Sequence, residues 1–228
     1  STVSGTFAIT SGGAITDSGT QAITGDATFT NTAGTDDAIT LDDASNAFGG
    51  TVTFATDSGS AVTIVDTTAL DLKALTAASL SATSGGAVTD SGTLAVTGAT
   101  TISASGQEIT LDESASTFGS LLLTGANVAV TDAGAVDLGA STVGGTLGIT
   151  SAGAVTDSGT LAVTGATTIS ASGQDITLDQ AASTFGTLAL TGANVAVTEN
   201  AATDLGASTV SGTFAITSGG AITDLSLI

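Results

Sequence analysis

The chain has 228 residues, of which 21 are acidic and one, Lys73, is basic, so its formal net charge is −20. Because it has no Arg or His, it lacks the cations that neutralise phosphates, which argues against nucleic-acid binding and against charge-driven adhesion to anionic lipid. It also contains no Cys, which excludes a disulfide, a thiolate metal site and a thiol nucleophile.

The apolar content separates this acidic chain from a disordered one. Hydrophobic residues make up 41% and the mean hydropathy is +0.49, whereas disordered chains combine charge with low hydrophobicity. Val, Ile and Thr, which are abundant here, suit a half-buried pleated surface. No apolar run reaches the roughly 18 residues of a membrane span. We therefore expect an ordered, nearly all-β chain without membrane insertion, whose targeting signal, if it is secreted, lies outside this sequence.

A short phrase recurs along the chain. It reads GGAITDSGT at residues 12–20, GGAVTDSGT at 85–93 and AGAVTDSGT at 152–160, and it begins again as GGAITD at 219–224. The residues of a catalytic site usually occur once in a chain, so this recurrence indicates a repeated architecture.

The recurrence defines long repeats. The same position of the phrase is occupied by Asp17, Asp90, Asp157 and Asp224, and the last three of these are evenly spaced. Residues 90–156 and 157–223 are identical at 53 of 67 positions, and residues 1–17 are identical to residues 208–224. We predict a single repeat domain over residues 1–228, with units at approximately 17–89, 90–156 and 157–223 and partial repeats at both ends.

Each unit contains short apolar triplets at intervals of about seven or eight residues, separated by Gly, Ser, Ala, Asn or Asp. Examples are AVT at residues 87–89, LAV at 94–96 and ITL at 109–111. Three such strands make a coil of roughly 22 residues, which predicts a right-handed parallel β-helix built in super-repeats of about 67 residues. The alternative, an immunoglobulin-like β-sandwich, fits poorly because such a module takes about 100 residues.

The predicted coil assigns a side to each residue type. Val, Ile, Leu and Ala are expected inside, while Thr, Ser and Asp face water. Glycines such as Gly86, Gly92, Gly153 and Gly159 are expected at tight corners with positive φ. About ten coils spaced by about 4.8 Å would make a rod on the order of 50 Å long.

Several phrases resemble the β-strand repeats of filamentous-haemagglutinin-like exoproteins, which are large bacterial surface adhesins secreted by the two-partner route. The shared phrases are GAITDSG, ITLD…STFG, TGANVAVT and DLGASTVSG. The resemblance covers essentially the whole chain and implies a β-helical shaft at the bacterial surface. Sequence elements matching the secretion domain and the effector regions of that family are not seen.

Acidic residues bracket one strand in each unit, in DDAITLDD, EITLDE and DITLDQ. Carboxylates are Ca²⁺ ligands, so the candidate metal residues are Asp42, Asp43, Asp112, Glu113 and Asp179. Residues four apart on a strand are roughly 13 Å apart, so the bracketing acids do not share one ion. The alternative is a set of solvated corners that keep the rod soluble and block lateral pairing.

Two other features bear on ligand binding. Phe48, Phe118 and Phe185 occupy one repeat position, and we expect them to fill the core or a corner rather than to stack on a sugar. The Thr-x-Thr phrases at residues 28–30 and 51–53 do not recur in register in the later units, which argues against ice binding. With no His, Cys, Arg or Tyr and no specialised unit, we expect no enzyme and no cofactor.

These features together predict a structural role. We expect the shaft of an extracellular or cell-surface fibre or adhesin, with either copies of the same chain stacked head to tail or the flanking repeats of a longer chain as its partners. The alternative is a Ca²⁺- or glycan-binding adhesive module on the same solenoid. The apolar residues of the tail, 225–228, suggest either a plug or a boundary.

Overall fold

The computed structural model describes residues 1–32, 34 and 36–224, and all of its regular structure in these residues is β. The predicted tail at 225–228 lies outside the described residues. In chain order the strands are β1 Thr2–Val3, β2 Phe7–Ser11, β3 Ile15–Thr16, β4 Ala22–Ile23, β5 Ala27–Asn31, β6 Ile39–Leu41, β7 Ala47–Phe48, β8 Thr51–Ala55, β9 Ala61–Asp66, β10 Leu70–Ala77, β11 Ser79–Ser84, β12 Val88–Asp90, β13 Leu94–Ser103, β14 Ile109–Leu111, β15 Thr117–Gly125, β16 Val128–Asp132, β17 Val136–Leu138, β18 Ser141–Val143, β19 Leu147–Ser151, β20 Val155–Asp157, β21 Leu161–Val163, β22 Ala166–Ser170, β23 Ile176–Leu178, β24 Thr187–Gly192, β25 Val195–Glu199, β26 Thr203–Leu205, β27 Thr209–Val210, β28 Phe214–Ser218 and β29 Ile222–Asp224.

The strands pair in parallel with strands one turn away, which confirms the parallel β-helix. Ile109 in β14 lies in register with Val88 of β12 on one side and with Val128 of β16 on the other. The turns differ in length, since the turn from Leu121 to its partner Leu138 is shorter than the turn from Ile23 to its partner Phe48. About eleven turns stack in this way. At about 4.8 Å per turn the solenoid is a rod on the order of 50 Å long.

The core runs along the axis of this rod. In strands such as Ile109–Leu111 and Leu161–Val163 the outer two residues are buried and the middle one is half-buried, as period-2 alternation requires. One continuous apolar cluster extends from Ile15 to Val197 through the interiors of successive turns. Each turn therefore gains its stability by covering the apolar interior of the next, which is the way solenoids are stabilised.

The phenylalanines lie inside this core. Phe48, Phe118 and Phe185 are all at most 5% exposed, so the expectation that they fill the core is confirmed. Near the first turns, the ring of Phe29 stacks on Phe54 with centroids 5.7 Å apart and meets Phe7 at the same separation. This aromatic row is a local feature of the first turns.

The corner glycines are required by the close approach of neighbouring turns and not by a positive φ. Among the described glycines, positive φ is found at Gly34, Gly106 and Gly173, not at the four corner glycines named above. At those four, a Cβ atom would instead collide with the backbone of the preceding turn. At Gly92 it would lie 1.8 Å from the Lys73 carbonyl oxygen, and at Gly159 2.1 Å from the Ala140 nitrogen. These glycines allow close stacking of turns, and the prediction of positive φ there is wrong.

Candidate functional site

In each repeat, the aspartate of the repeated phrase joins one turn to the next. Asp90 Oδ1 accepts a hydrogen bond from the backbone N–H of Asp112, with N···O 2.8 Å. One repeat later, Asp157 Oδ1 accepts from the backbone N–H of Asp179 at 2.7 Å. In the first repeat Asp17 Oδ1 accepts in the same way from the N–H of Asp42, at 3.0 Å. The carboxylate at the end of one strand thus holds the corner that follows the equivalent strand one turn later.

That corner returns a hydrogen bond to the earlier turn. Ser116 Oγ accepts from the backbone N–H of Leu94 at 3.0 Å and lies 3.4 Å from Asp90 Oδ2, to which it donates. We call the set formed by Asp90, the Asp112 N–H, Ser116 and the Leu94 N–H the inter-turn bracket. Its members satisfy backbone donors that the sheet ladder leaves unpaired at the corner, where a buried unpaired donor is costly.

The bracket recurs in the other two repeats with small changes of side chain. Ser183 Oγ accepts from the Leu161 N–H at 3.0 Å, as Ser116 does one repeat earlier. In the first repeat Asn46 takes the place of the serine: its Oδ1 accepts from the Gln21 N–H at 2.7 Å, and its Nδ2 donates to Asp17 at 2.6 Å. Serine and asparagine both supply one acceptor and at least one donor, which is what the position requires.

A second row of acids is buried more deeply. Asp66, Asp132 and Glu199 occupy one repeat position and are each at most 2% exposed. Their carboxylates accept hydrogen bonds from the backbone N–H groups of Phe48, Phe118 and Phe185, with N···O distances of 3.3, 3.0 and 3.3 Å. The row therefore fixes the corner at which each of those rings enters the core.

Burial changes the ionisation of these groups. Desolvation raises the pKa of Asp66 and Asp132 above the ordinary aspartate value, and backbone hydrogen bonds oppose that rise. The pKa of Asp90 and of Asp157 is raised by the same cause, again against the backbone bonds they accept. Oδ2 of Asp66 and Oε1 of Glu199 are buried and have no hydrogen-bond partner in the described structure. The hydrogen bonds to these buried carboxylates therefore offset only part of the hydration that the carboxylates lose on burial.

The expectation that Asp, Ser and Thr face water is wrong for these two rows. Asp90 and Asp157 are 6% and 7% exposed, and Ser116 and Ser183 are fully buried. The sequence did carry a signal for the second row. In VAVTD, the strand from Val128 to Asp132, the acid has the inward parity of the two buried valines. An acid that occupies an inward-facing strand position in three repeats indicates a buried carboxylate with fixed hydrogen-bond partners.

The candidate calcium residues lie at the corners of the solenoid. Asp42, Asp112 and Asp179 are exposed, and Asp43 and Glu113 are half-buried. In the part of the chain that the structure describes, no three Asp or Glu residues lie close enough together to hold a metal ion. What the structure does show at Asp42, Asp112 and Asp179 is a backbone N–H held by the phrase aspartate. Calcium binding there stays a prediction.

An exposed asparagine joins another corner of successive turns. Asn127 Oδ1 accepts from the backbone N–H of Thr146 at 3.0 Å, and Asn194 Oδ1 accepts from the N–H of Thr213 at the same distance. The acid that precedes the ITL strand takes part, since Asn194 Nδ2 donates to Asp175 Oδ1 at 2.9 Å. The acids that bracket this strand therefore contribute to contacts between turns.

The described residues contain no helix that could cross a membrane. A model of repeats of unknown function (DUF5649) matches the chain four times, at residues 1–55, 59–124, 125–191 and 192–227. The segment 125–191 has the same length as the period found in the sequence, although it starts at a different point of the repeat. Searches of curated proteins and of solved structures found no match.

These matched segments cover nearly all of the chain and say nothing of a haemagglutinin. The family model and the recurring inter-turn brackets therefore both show that the chain, a β-solenoid, is built from long sequence repeats. The chain belongs to the family of repeats of unknown function (DUF5649).

Proposed function

We propose that this solenoid is a structural shaft in an extracellular or cell-surface fibre or adhesin of a bacterium. The observation that carries the proposal is the unbroken stack of turns, in which the same bracket of Asp, backbone N–H and Ser or Asn recurs in each repeat. A binding or catalytic protein usually departs from its scaffold at the place where it works. Here the buried Asp, Ser and Asn side chains of the brackets make hydrogen bonds that join one turn to the next.

Charge and resemblance support the same role. A net charge of −20 keeps rods soluble and discourages lateral association of their sheets. The phrases shared with filamentous-haemagglutinin-like repeats favour a bacterial surface location and the shaft of an adhesin. We propose no catalytic activity and no cofactor for this segment.

Surface labelling tests the location. Antibodies raised against residues 1–228 would be applied, with gold conjugates, to intact cells of the source bacterium and to permeabilised cells. We expect labelling of intact cells along fibres, and loss of that labelling after brief external proteolysis. Labelling that needs permeabilisation would contradict the proposal. A strain lacking the gene is the matched control for antibody specificity.

The second candidate is a Ca²⁺- or glycan-binding module on the same solenoid, and the exposed acids at residues 42, 112 and 179 are its basis. Thermal melts of the metal-stripped chain with Ca²⁺, with Mg²⁺ and with EDTA distinguish it from a passive shaft. Binding to the folded state raises the melting temperature by mass action. A rise specific to Ca²⁺ that disappears in the triple variant Asp42→Asn, Asp112→Asn, Asp179→Asn would favour the binding module, and unchanged melting favours the shaft.

A further inference from the structure

One boundary between turns differs from its counterparts in the later repeats. In the first repeat, β8 and β9 pair with β10 and β11 of the next turn. The matching strands of the second repeat are β15 and β16, which pair with β17, β18 and β19, and those of the third are β24 and β25, which pair with β26, β27 and β28. We call these boundaries the first, second and third seams. All three are parallel ladders of similar extent, so the differences between them lie in their side chains.

The asparagine that links turns across the second and third seams is missing from the first. Asn127 Oδ1 accepts the backbone N–H of Thr146, and Asn194 Oδ1 accepts that of Thr213, both with N···O 3.0 Å. Each asparagine directly precedes a VAV segment of a strand. The matching residue of the first repeat, directly before the segment VTIV, is Ala61. Its methyl group is no hydrogen-bond acceptor, so the first seam lacks this link.

A serine makes a second link across the later seams. Ser141 Oγ accepts the backbone N–H of Leu123 at 3.0 Å, and the third seam repeats this link at the same distance. The matching residue of the first repeat is Leu75, which has no hydroxyl. Leu75 is buried opposite Phe54 and adds apolar contact there. This contact offsets the missing hydrogen bond, although it has no directional preference.

An aspartate on the first seam lacks the partner that its counterpart has in the third repeat. Thr187 Oγ1 donates across the third seam to Asp204 Oδ2 at 3.1 Å. Thr51 and Asp71 occupy the same places on the first seam and lie opposite each other in register. Yet Oδ1 of Asp71 is buried without a hydrogen-bond partner in the described structure, as is the hydroxyl of Ser60 at the neighbouring corner. A buried polar atom without a partner carries the full cost of its desolvation.

We infer that the first seam is the weak point of the rod, so that its two turns separate before those of the second and third seams. Each turn of a solenoid contacts only its neighbours, so the strength of a seam is set locally. The apolar contact of Leu75 offsets one missing link, whereas the missing asparagine link and the unpartnered carboxylate of Asp71 have no such substitute. The inference goes beyond the proposed function, because it gives the rod a defined place at which it opens.

Hydrogen exchange of the unmodified chain, measured by mass spectrometry, tests the inference directly. Backbone amides of β10 and β11 report the opening of the first seam, and those of β17, β18 and β19 report the opening of the second. The loss of one hydrogen-bonded link changes an opening equilibrium about tenfold, so we expect exchange at the first seam to be faster by about this factor or more. Equal or slower exchange at the first seam would overturn the inference.

Removal of links from the second seam tests the cause. Asn127→Ala and Ser141→Ala, made together, remove both links from that seam and leave the first seam unaltered. We expect exchange of β17, β18 and β19 to rise by about tenfold or more, while β10 and β11 keep their rates. Ala129→Ser, at an exposed position of β16, is the matched control and should leave all rates unchanged. Unaltered exchange in the double variant would mean that these hydrogen bonds do not hold the seam, which contradicts the inference.

The single lysine of the chain reports on the first seam independently. Lys73 is the one residue after which trypsin can cut, and it lies where the register between β8 and β10 shifts. Trypsin should divide the native chain into residues 1–73 and 74–228 at a rate set by the opening of the seam. Lys73→Gly combined with Ala140→Lys moves the lysine to an exposed position between β17 and β18, and this chain should be cut about tenfold more slowly. Equally fast cleavage of the two chains would count against a weak first seam.

These outcomes are separate from the test of the proposed function. A first seam that exchanges no faster than the second refutes the weak point and leaves the shaft to be tested by surface labelling. Absence of surface labelling refutes the surface shaft and does not alter the exchange rates of the purified chain.

Discussion

The carboxylate of Asp90 and the backbone N–H of Asp112 are 2.8 Å apart, although the two residues lie 22 positions apart in the chain. The hydrogen bond crosses from one turn to the next at a corner, where the regular sheet ladder is interrupted. The same relationship joins Asp157 to Asp179. A phrase that recurs four times in the sequence thus corresponds to a contact that the solenoid needs once per repeat.

Removal of this carboxylate should destabilise the rod. Asp90→Ala leaves the Asp112 N–H and the hydroxyl of Ser116 without their buried acceptor, and an unsatisfied buried donor costs about 1–3 kcal/mol. We expect the free energy of unfolding in urea to fall by that amount. The control is Asp112→Ala, which removes an exposed acid from the same corner and keeps the backbone donor. Equal effects of the two variants would show that the bracket does not stabilise the fold.

Stability should rise as the pH falls from neutral. Burial raises the pKa of Asp66, Asp90, Asp132 and Asp157 in the folded chain. A folded-state pKa above the unfolded one means that the folded chain binds the proton more tightly. The gain therefore begins as the pH drops through the raised folded values and is complete below the unfolded aspartate pKa, about 3.9.

Melting temperatures between pH 7 and pH 4 measure this effect. Self-repulsion from the charge of −20 acts in the same direction, so the series should be repeated in 0.5 M NaCl, where repulsion is screened and burial is not. Asp132→Asn removes one of the responsible groups and should flatten the curve in high salt. A melting temperature that falls steadily towards pH 4.5 would be inconsistent with raised pKa values at the buried acids.

The fold was predictable because it is repeated and periodic. Alternation in phrases such as LAV and ITL assigns an inner and an outer face, and a long repeat that contains short triplets at regular intervals favours a solenoid. Turn length was less predictable. The turn that ends at Phe48 is longer than the turn that ends at Leu138, because the corners absorb insertions without disturbing the strand pairing.

The bracket was predictable only in part. The recurring aspartate was visible, but its partner is a backbone N–H one turn away, and sequence letters do not encode backbone donors. Composition also favoured the wrong prediction, because an acidic side chain in a chain of charge −20 is most simply placed on the solvent-exposed surface. The inward parity of Asp132 with Val128 and Val130 was the local evidence that outweighs composition.

Low salt should weaken the folded chain. The acids are spread along the rod, and the Debye length of about 8 Å at physiological ionic strength limits their repulsion to near neighbours. At 0.01 M salt the Debye length grows to about 30 Å, so acids that lie several turns apart also repel one another. We expect the melting temperature at pH 7 to rise between 0.01 M and 0.15 M NaCl. Equal melting temperatures at the two salt concentrations would contradict this electrostatic account.

Close stacking of turns gives the sharpest test of the corner glycines. A Cβ at Gly159 would lie 2.1 Å from the Ala140 nitrogen, whereas a Cβ at Gly148, also inside the rod, would lie 3.8 Å from its nearest neighbour, the Val128 carbonyl oxygen. Gly159→Ala therefore forces two backbones apart, and overpacking of this kind costs about 1–3 kcal/mol or more. Gly148→Ala should be neutral or slightly stabilising, since 3.8 Å is an ordinary contact and the substitution reduces the freedom of the unfolded chain. Urea unfolding of both variants measures the difference, and similar stabilities for the two would mean that the turns can separate at Gly159 without loss.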